Sequence, residues 1–144
     1  MKVYPSPGVG EEITAEDRFL FTCGQCHRLA EVLNDVTGWP ICAFWDKEYY
    51  DDRGDFSIHA FVQTPARKYL DITGLHTATE MKQEWGEYEI RKVTDFWPLE
   101  DWAPYMDDER IPRAWEIAPL VLAHHYKRIP TRIVERINEG RNDH

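Results

Sequence analysis

Apolar residues recur with helical spacing most clearly over residues 24–37. The apolar positions in this segment, which follow the three-and-four spacing of one helix face, are Leu29, Val32, Leu33 and Val36. Gly38 then suits a left-handed cap, and Pro40 cannot continue a helix. The pattern therefore predicts a helix that ends at Thr37.

Shorter helices are predicted from capping residues and from apolar spacing. Thr14 followed by Asp17 is typical of a helix start, and this helix reaches about Phe21. The segment 79–85 predicts another short helix, which Gly86 ends. Two more helices are predicted near the end of the chain, over residues 113–128 and 131–139.

Four segments have the composition or the alternation of β-strands: residues 41–45, 57–64, 68–73 and 87–96. A helix followed by antiparallel strands is typical of an α+β domain. We expect one domain over residues 1–144, in which the helix of residues 24–37 packs on a small antiparallel sheet and helices follow at the C-terminal end. Residues 1–13 are expected to form an irregular arm. The sequence indicates the structure of residues 80–144 less clearly than that of the preceding part.

The formal net charge of −9 argues against affinity for nucleic acid or anionic membranes, which carry negative charge themselves. The first dozen residues contain no apolar run, and no segment approaches the length that spans a membrane. We therefore expect a cytoplasmic protein whose three cysteines are free thiols. The acidic segment 46–55 lacks the ligand order of an EF-hand, and we interpret it as a solvated loop.

The stretch TCGQCHRLA contains Cys23, Cys26 and His27, a spacing with three possible meanings. It matches a c-type haem attachment signature, it could form a redox or zinc site, and it could present a nucleophilic thiol at a helix start. The missing export signal disfavours haem. Zinc is disfavoured because no second Cys/His pair has ligand spacing, and the adjacent His124 and His125 would point to different faces of a helix. We therefore expect no cofactor and no metal, with His27 on the helix surface, Cys23 a packed thiol and Cys42 part of the core.

The strands around Pro65 bring a histidine and an aspartate together if their turn comprises residues 64–66. In that register His59 lies directly opposite Asp71, with Cβ atoms about 4.5–5.5 Å apart on one face. A longer turn would make the pair diagonal or place it on opposite faces.

A thiol at a helix start, an imidazole and a carboxylate are the parts of a cysteine-based catalytic triad. In this hypothesis Cys26 is the nucleophile, His59 the base and Asp71 the group that orients the imidazole. The helix dipole, worth about 0.3–2 kcal/mol, lowers the pKa of a thiol only from about 8.5 to the high sevens. A larger decrease in the Cys26 pKa therefore requires His59.

Two segments resemble transglutaminase-like and papain-like proteins. GQCHRLAEVLNDVTGWP is similar to their Gly-x-Cys-x-x-x-Ala helix, and IHAFVQTPARKYLDITG is similar to their His strand followed by an Asp strand. The resemblance covers residues 22–75 and implies the same roles for Cys26, His59 and Asp71. Papain relatives often carry an oxyanion-stabilising Gln a few residues before the cysteine, whereas here Gln25 adjoins it. We take Gln25 and Trp39 as candidate oxyanion or substrate contacts.

The resemblance implies a cysteine-dependent acyl-transfer enzyme that cleaves an amide bond through a thioester, as a protease, amidase, deamidase or transamidase. Its expected partner is a protein or peptide substrate. Two alternatives remain open at this point. One is a binding module or inhibitor with the same fold and no catalysis, and the other is a redox or haem-binding protein that uses Cys23, Cys26 and His27.

Overall fold

The computed structural model describes residues 12–22, 25–45, 59–93 and 111–143. Its helices are α1 (Ala15–Leu20), α2 (Cys26–Thr37), α3 (Ala78–Trp85), α4 (Ile111–Leu122) and α5 (Thr131–Asp143). Its strands are β1 (Ile41–Trp45), β2 (Ala60–Gln63), β3 (Tyr69–Asp71), β4 (Gly74–His76) and β5 (Glu89–Lys92). The predicted α+β class is confirmed. The acidic segment 46–55 and most of the predicted N-terminal arm lie outside the described residues.

The five strands form one antiparallel sheet in the order β4-β3-β2-β1-β5. The sequence pattern did not predict β4, because three residues are too few for an alternation to be recognised. β4 pairs with β3 through a tight turn in which Gly74 lies opposite Asp71. Gly74 has a φ of 121°, a value that side-chain-bearing residues rarely adopt.

Capping residues explain where the first two helices begin or end. The predicted start of α1 is confirmed, since Thr14 and Asp17 form a reciprocal capping box. Arg113 of α4 also donates to both carboxylate oxygens of Asp17, at 2.8 and 2.6 Å, and so connects α1 to α4. The end of α2 matches its prediction as well, because Gly38 adopts the left-handed conformation, with a φ of 78°.

The two faces of the sheet bury very different amounts of apolar surface. The helical face includes Ile41, Ala43, Ala60 and Val62, and α2, α4 and α5 cover it to form the large core. Alternate strand residues point the other way. Three of them, Cys42, Phe44 and Phe61, form a small cluster with Met81 of α3, against which Tyr69, Trp85, Tyr88 and Ile90 pack, and this side of the sheet is the aromatic face.

The fourth helix is shorter than the sequence predicts. α4 ends at Leu122, whereas the apolar pattern predicted a helix to residue 128, and residues 123–125 form turns instead. Pro119 lies inside α4 and has no N–H to give to the carbonyl of Trp115. Arg141 of α5 donates to that carbonyl at 3.3 Å. The contact joins α4 to α5, which continues to Asp143, beyond its predicted end.

Candidate active site

Cys26 is the first residue of α2 and points its thiol toward the sheet. Gln25 is the N-cap, so the Cys26 backbone N–H lies among the helix N-terminal amides that lack an intrahelical acceptor. Only 3% of the residue is exposed. Its Sγ accepts a hydrogen bond from the backbone N–H of Ala60, at 3.4 Å, on the first residue of β2. The predicted placement of Cys26 at a helix start is confirmed.

His59 immediately precedes β2 and forms a buried pair with Asp71 at the end of β3. The His59 Nε2 to Asp71 Oδ2 distance is 2.8 Å, and the exposed fractions of the two residues are 0% and 4%. The Nδ1 atom of His59 is also buried and makes no well-aligned hydrogen bond with any described group. Because Asp71 occupies Nε2, the nitrogen left for chemistry is Nδ1.

The register that brings His59 and Asp71 together differs from the predicted one. The turn has three residues, but they are residues 65–67 rather than 64–66, since Thr64 and Lys68 pair through a 2.8 Å backbone hydrogen bond. Arg67 closes the turn in the left-handed region, with a φ of 60°. Val62 therefore lies opposite Leu70, and by the same count Asp71 lies opposite Phe61.

The prediction that His59 directly faces Asp71 is therefore wrong. Moving the turn by one residue shifts the pairing by two positions, which preserves the face and makes the pair diagonal. A diagonal pair lies about 7–8 Å apart at the backbone, within reach of longer side chains. The imidazole of His59 spans that separation to reach the carboxylate.

The second oxygen of Asp71 is held by Thr73. Asp71 Oδ1 accepts the Thr73 backbone N–H at 2.8 Å and the Thr73 hydroxyl at 2.6 Å. Because the hydroxyl has a single proton and gives it to Asp71, the 2.8 Å contact between Thr73 Oγ1 and His76 Nε2 requires the imidazole to donate. The carboxylate thus has a fixed orientation, with Oδ2 directed at His59.

Trp85, the last residue of α3, stacks on the imidazole of His59. The ring centroids are 4.3 Å apart and the planes are inclined by 13°. The ring of Phe61 lies 5.6 Å from the same imidazole. The aromatic face of the sheet therefore fixes the plane of the ring whose edge is bonded to Asp71.

His27 lies beside the thiol, whereas the sequence predicted it on the helix surface. Only 7% of His27 is exposed, and its Nδ1 lies 3.6 Å from Cys26 Sγ. The prediction is wrong because the apolar period of α2 gives little guidance in the first turn, where the helix end itself packs against β2. Helical spacing from Leu29 and Leu33 could not have shown this contact.

The charge states of the thiol and the imidazole depend on their mutual contacts. Burial alone would raise the pKa of Cys26, but the charge and hydrogen bond of His27, followed by those of His59, lower it from 9.0 to about 5. Burial would lower the pKa of His59, but the hydrogen bond to Asp71 and the interaction with Cys26 raise it from 6.5 to about 9. Between these values the favoured state is a thiolate beside an imidazolium.

The carboxylate of Asp71 stays ionised in the same cluster. Burial would raise the pKa of Asp71, but the bonds from His59 and Thr73 outweigh burial and lower the pKa below its usual value. The ionised carboxylate next to His59 stabilises the imidazolium.

The other sequence-predicted residues take different positions. Gln25 adjoins Cys26 as the N-cap of α2, so it stays a candidate oxyanion contact. Trp39 lies just beyond the opposite end of α2, a helix about 18 Å long, and packs against His125 and Tyr126. The structure therefore does not bring Trp39 to the site. Cys42 is buried, as predicted, and Cys23 lies outside the described residues.

A cavity of about 430 Å³ opens beside the carboxylate of Asp71. Asp71 and Trp85 form part of its wall, so it reaches the two residues that hold the His59 ring. Its further polar lining includes Thr73, His76, Glu80 and Glu84. The cavity has the volume of a small binding site, and two glutamates make its outer wall acidic.

Within the described part of the chain, no group of three or more histidine, cysteine or acidic side chains has an arrangement that could hold a metal ion. None of the described helices is long and apolar enough to cross a membrane. Comparisons of the chain with family models, with curated proteins and with solved structures found no match. The resemblance to transglutaminase-like and papain-like proteins therefore stays a prediction from the sequence.

Proposed function

We propose that the protein is a cysteine-dependent acyl-transfer enzyme, with a transglutaminase-like or papain-like core, that acts on amide bonds through a thioester. The observation that carries this proposal is the buried 2.8 Å pair of His59 and Asp71 beside a thiol whose pKa is lowered to about 5. A structural cysteine in an apolar core has a raised pKa, so this environment is the kind that activates a nucleophile.

In the first half of the reaction, the Cys26 thiolate attacks the carbonyl carbon of an amide and forms a C–S bond. The carbonyl π electrons move to oxygen, and the Cys26 backbone N–H at the start of α2 is the donor that we assign to that oxyanion. The imidazolium of His59 then gives its Nδ1 proton to the amide nitrogen. The C–N bond breaks, ammonia or an amine leaves, and a thioester stays on Cys26.

In the second half, the neutral His59 takes a proton from water or from an amine as that nucleophile attacks the thioester. The C–S bond breaks and its electrons return to sulfur, which restores the thiolate and the imidazolium. Water as the nucleophile gives hydrolysis or deamidation, and an amine gives transamidation. Asp71 keeps its charge throughout and holds the imidazole in one orientation.

The cavity beside Asp71 and Trp85 provides space for a group of the substrate. Its volume of about 430 Å³ suits a side chain or a short peptide segment. The carboxylates of Glu80 and Glu84 in its lining would repel anionic groups, which favours neutral or cationic substrates. A glutamine side chain or a peptide bond in another protein fits these requirements.

One observation favours a second candidate, a protein-binding module without catalysis. Cys26 and His59 are 3% and 0% exposed, so a substrate carbonyl reaches the sulfur only if neighbouring groups move. A binding module would keep the buried pair as part of its fold and would use the outer surface for its partner. Acylation of the thiol separates the two candidates.

The test uses p-nitrophenyl acetate, an activated ester that is small enough to probe a partly closed site. Intact mass after a short incubation should show one acetyl group on the wild type and none on Cys26→Ala. His59→Ala should acylate about 10²–10⁴-fold more slowly. A glutamine-containing peptide, with ammonia release as the readout, then tests the amide reaction itself.

The matched control is Cys42→Ala, which removes a buried thiol that has no role in the proposed reaction. We expect it to acylate like the wild type. Acetylation that persists in Cys26→Ala, or a wild type that never becomes acetylated although it is folded, would contradict the enzymatic proposal and leave the binding module.

A further inference from the structure

The sulfur of Cys26 has more nitrogen atoms around it than a triad requires. Besides the imidazole of His59, it has the Ala60 N–H at 3.4 Å and the Nδ1 atom of His27 at 3.6 Å. His27 follows the cysteine directly in the chain and is almost completely buried, with 7% exposed. A buried, ionisable ring so close to a proposed nucleophile requires an explanation that the triad does not provide.

We infer that His27 is a second catalytic imidazole, which holds the Cys26 thiolate by donating from Nδ1, while His59 and Asp71 carry out the proton transfers. This inference rests on the proposed acyl-transfer function. The division of work follows from geometry. His59 is bonded to a carboxylate at 2.8 Å and so can hold a proton that it gives and takes back, whereas His27 contacts the sulfur itself.

The proton on His27 Nδ1 stays on that nitrogen in every step, and no bond to the ring forms or breaks. Its hydrogen bond is strongest when the sulfur carries a full negative charge, which occurs before attack and again when the thioester is cleaved. In the thioester the sulfur is neutral and the contact weakens. His27 therefore favours the resting thiolate and makes that thiolate a better leaving group when water or an amine attacks.

The second imidazole solves a problem that a single histidine leaves. When water or an amine attacks the thioester, the Nδ1 atom of His59 is engaged with the proton of that nucleophile, while negative charge returns to the sulfur. With His27 and the Ala60 N–H in place, the sulfur keeps two donors at that stage. A low thiol pKa reduces the intrinsic nucleophilicity of the sulfur, but it increases the fraction of thiolate near neutral pH.

Within the described part of the chain, two imidazoles lower the pKa of the Cys26 thiol, and they come from two different segments. His27 comes from α2 and His59 from the residue before β2, with Asp71 behind the latter. The direction of the pKa shift agrees with this arrangement, since His27 acts on the Cys26 pKa more strongly than His59 does. The pKa of the thiol is therefore the property that reports on His27.

The experiment is a pH titration of thiolate absorbance in the ultraviolet, with the Cys26→Ala spectrum subtracted. We expect His27→Ala to raise the apparent pKa of the thiol by about 1–3 units relative to the wild type. His27→Asn keeps a neutral donor near the position of Nδ1, and it should produce a smaller rise. If His27→Ala does not fold, His27→Asn decides the question by itself.

The matched control is His125→Ala, which removes a half-buried histidine that packs on Trp39, beyond the opposite end of α2, and should leave the thiol pKa unchanged. A thiol pKa in His27→Ala and His27→Asn equal to that in His125→Ala would overturn the inference. Failure of the proposed function has a different signature. The thiol pKa would still respond to His27, but the wild type would form no acetyl adduct.

Discussion

The two faces of the sheet contribute different parts of the candidate site. The helical face buries a large apolar core between the sheet and α2, α4 and α5, and this core positions the helix that begins with Cys26. Among the described residues, the apolar cluster of the aromatic face has four buried members with a few half-buried aromatic rings around them, and this face also holds His59. The thiol and the imidazole lie next to each other at the start of β2.

This difference separates the stability of the fold from the chemistry of the site. The position of Cys26, the proposed nucleophile, depends on many apolar contacts that any folded form of the protein must keep. The position of His59, the proposed base, depends on a few specific contacts, namely Trp85 against the ring, Asp71 at its Nε2 and Thr73 behind the carboxylate. Substitutions on the helical face should therefore change stability first, and those on the aromatic face should change proton affinity first.

The largest effect should come from Leu33→Ala on the helical face. Leu33 is completely buried in the large core, and its truncation should lower the free energy of unfolding by about 2–5 kcal/mol. The measurement is urea-induced unfolding followed by circular dichroism. The exposed substitution Glu135→Ala serves as a control and should change stability by less than about 0.5 kcal/mol.

Leu33→Ala should also leave the chemistry of the site intact in the molecules that stay folded. Below the unfolding transition, their Cys26 thiol should titrate like that of the wild type. A Leu33→Ala variant that is as stable as the wild type, or that is stable with an altered thiol pKa, would contradict the separation of the two faces.

Asp71→Asn on the aromatic face should produce the next largest effect, a fall in the His59 pKa. The bond to Asp71 is the main influence that raises this pKa from 6.5 to about 9, and the amide cannot stabilise the imidazolium in the same way. A raised pKa contributes stability that is complete below pH 6.5 and is lost as the pH rises through about 9. In Asp71→Asn that loss of stability should occur at a pH about 1–3 units lower.

The His59 pKa is measured by NMR titration of the imidazole signals. Asp35→Asn provides the matched control, because Asp35 forms an exposed ion pair with Arg136 at 2.9 Å, away from the site. It should leave the His59 titration unchanged. A His59 pKa that stays near 9 in Asp71→Asn would show that the carboxylate does not set it.

Trp85→Leu should have the smallest effect of the three. It removes the ring stacked on His59 at 4.3 Å, an interaction of the kind worth about 0.5–1.5 kcal/mol beyond its buried area. We expect a slower rate of acetylation by p-nitrophenyl acetate, because the imidazole loses its fixed plane, and only a small loss of stability. Trp45→Leu, which removes a tryptophan packed under Arg91 at 3.8 Å, should keep the wild-type rate.

If Trp45→Leu slows acetylation as much as Trp85→Leu does, the effect belongs to aromatic packing in general and not to the stacked imidazole.

The sequence predicted the elements of this fold better than the contacts between their ends. Apolar spacing and Gly38 defined α2, and alternation identified most strands, because these patterns follow directly from burial on one face. The predicted pairing of β2 and β3 was wrong because the turn was placed one residue too early. Composition does not tell whether Thr64 or Arg67 belongs to the turn. The error preserved the face, so His59 and Asp71 still met.

The contact between His27 and the thiol was beyond the reach of the sequence. Periodicity describes the middle of a helix, where side chains face the core or the solvent, but the first turn of α2 packs end-on against β2. The helix dipole and His59 alone were expected to lower the thiol pKa. The structure adds His27 to them, and a sequence pattern cannot weigh such a contact against burial.

The most direct test of this account is the pKa of the Cys26 thiol in the wild-type protein. It is obtained from the pH dependence of thiolate absorbance, corrected with the Cys26→Ala variant. We expect a midpoint of about 5, because the imidazoles of His27 and His59 outweigh the cost of burying a charge. A midpoint at or above the ordinary thiol value of about 8.5 would show an inert buried thiol and would contradict the proposed chemistry.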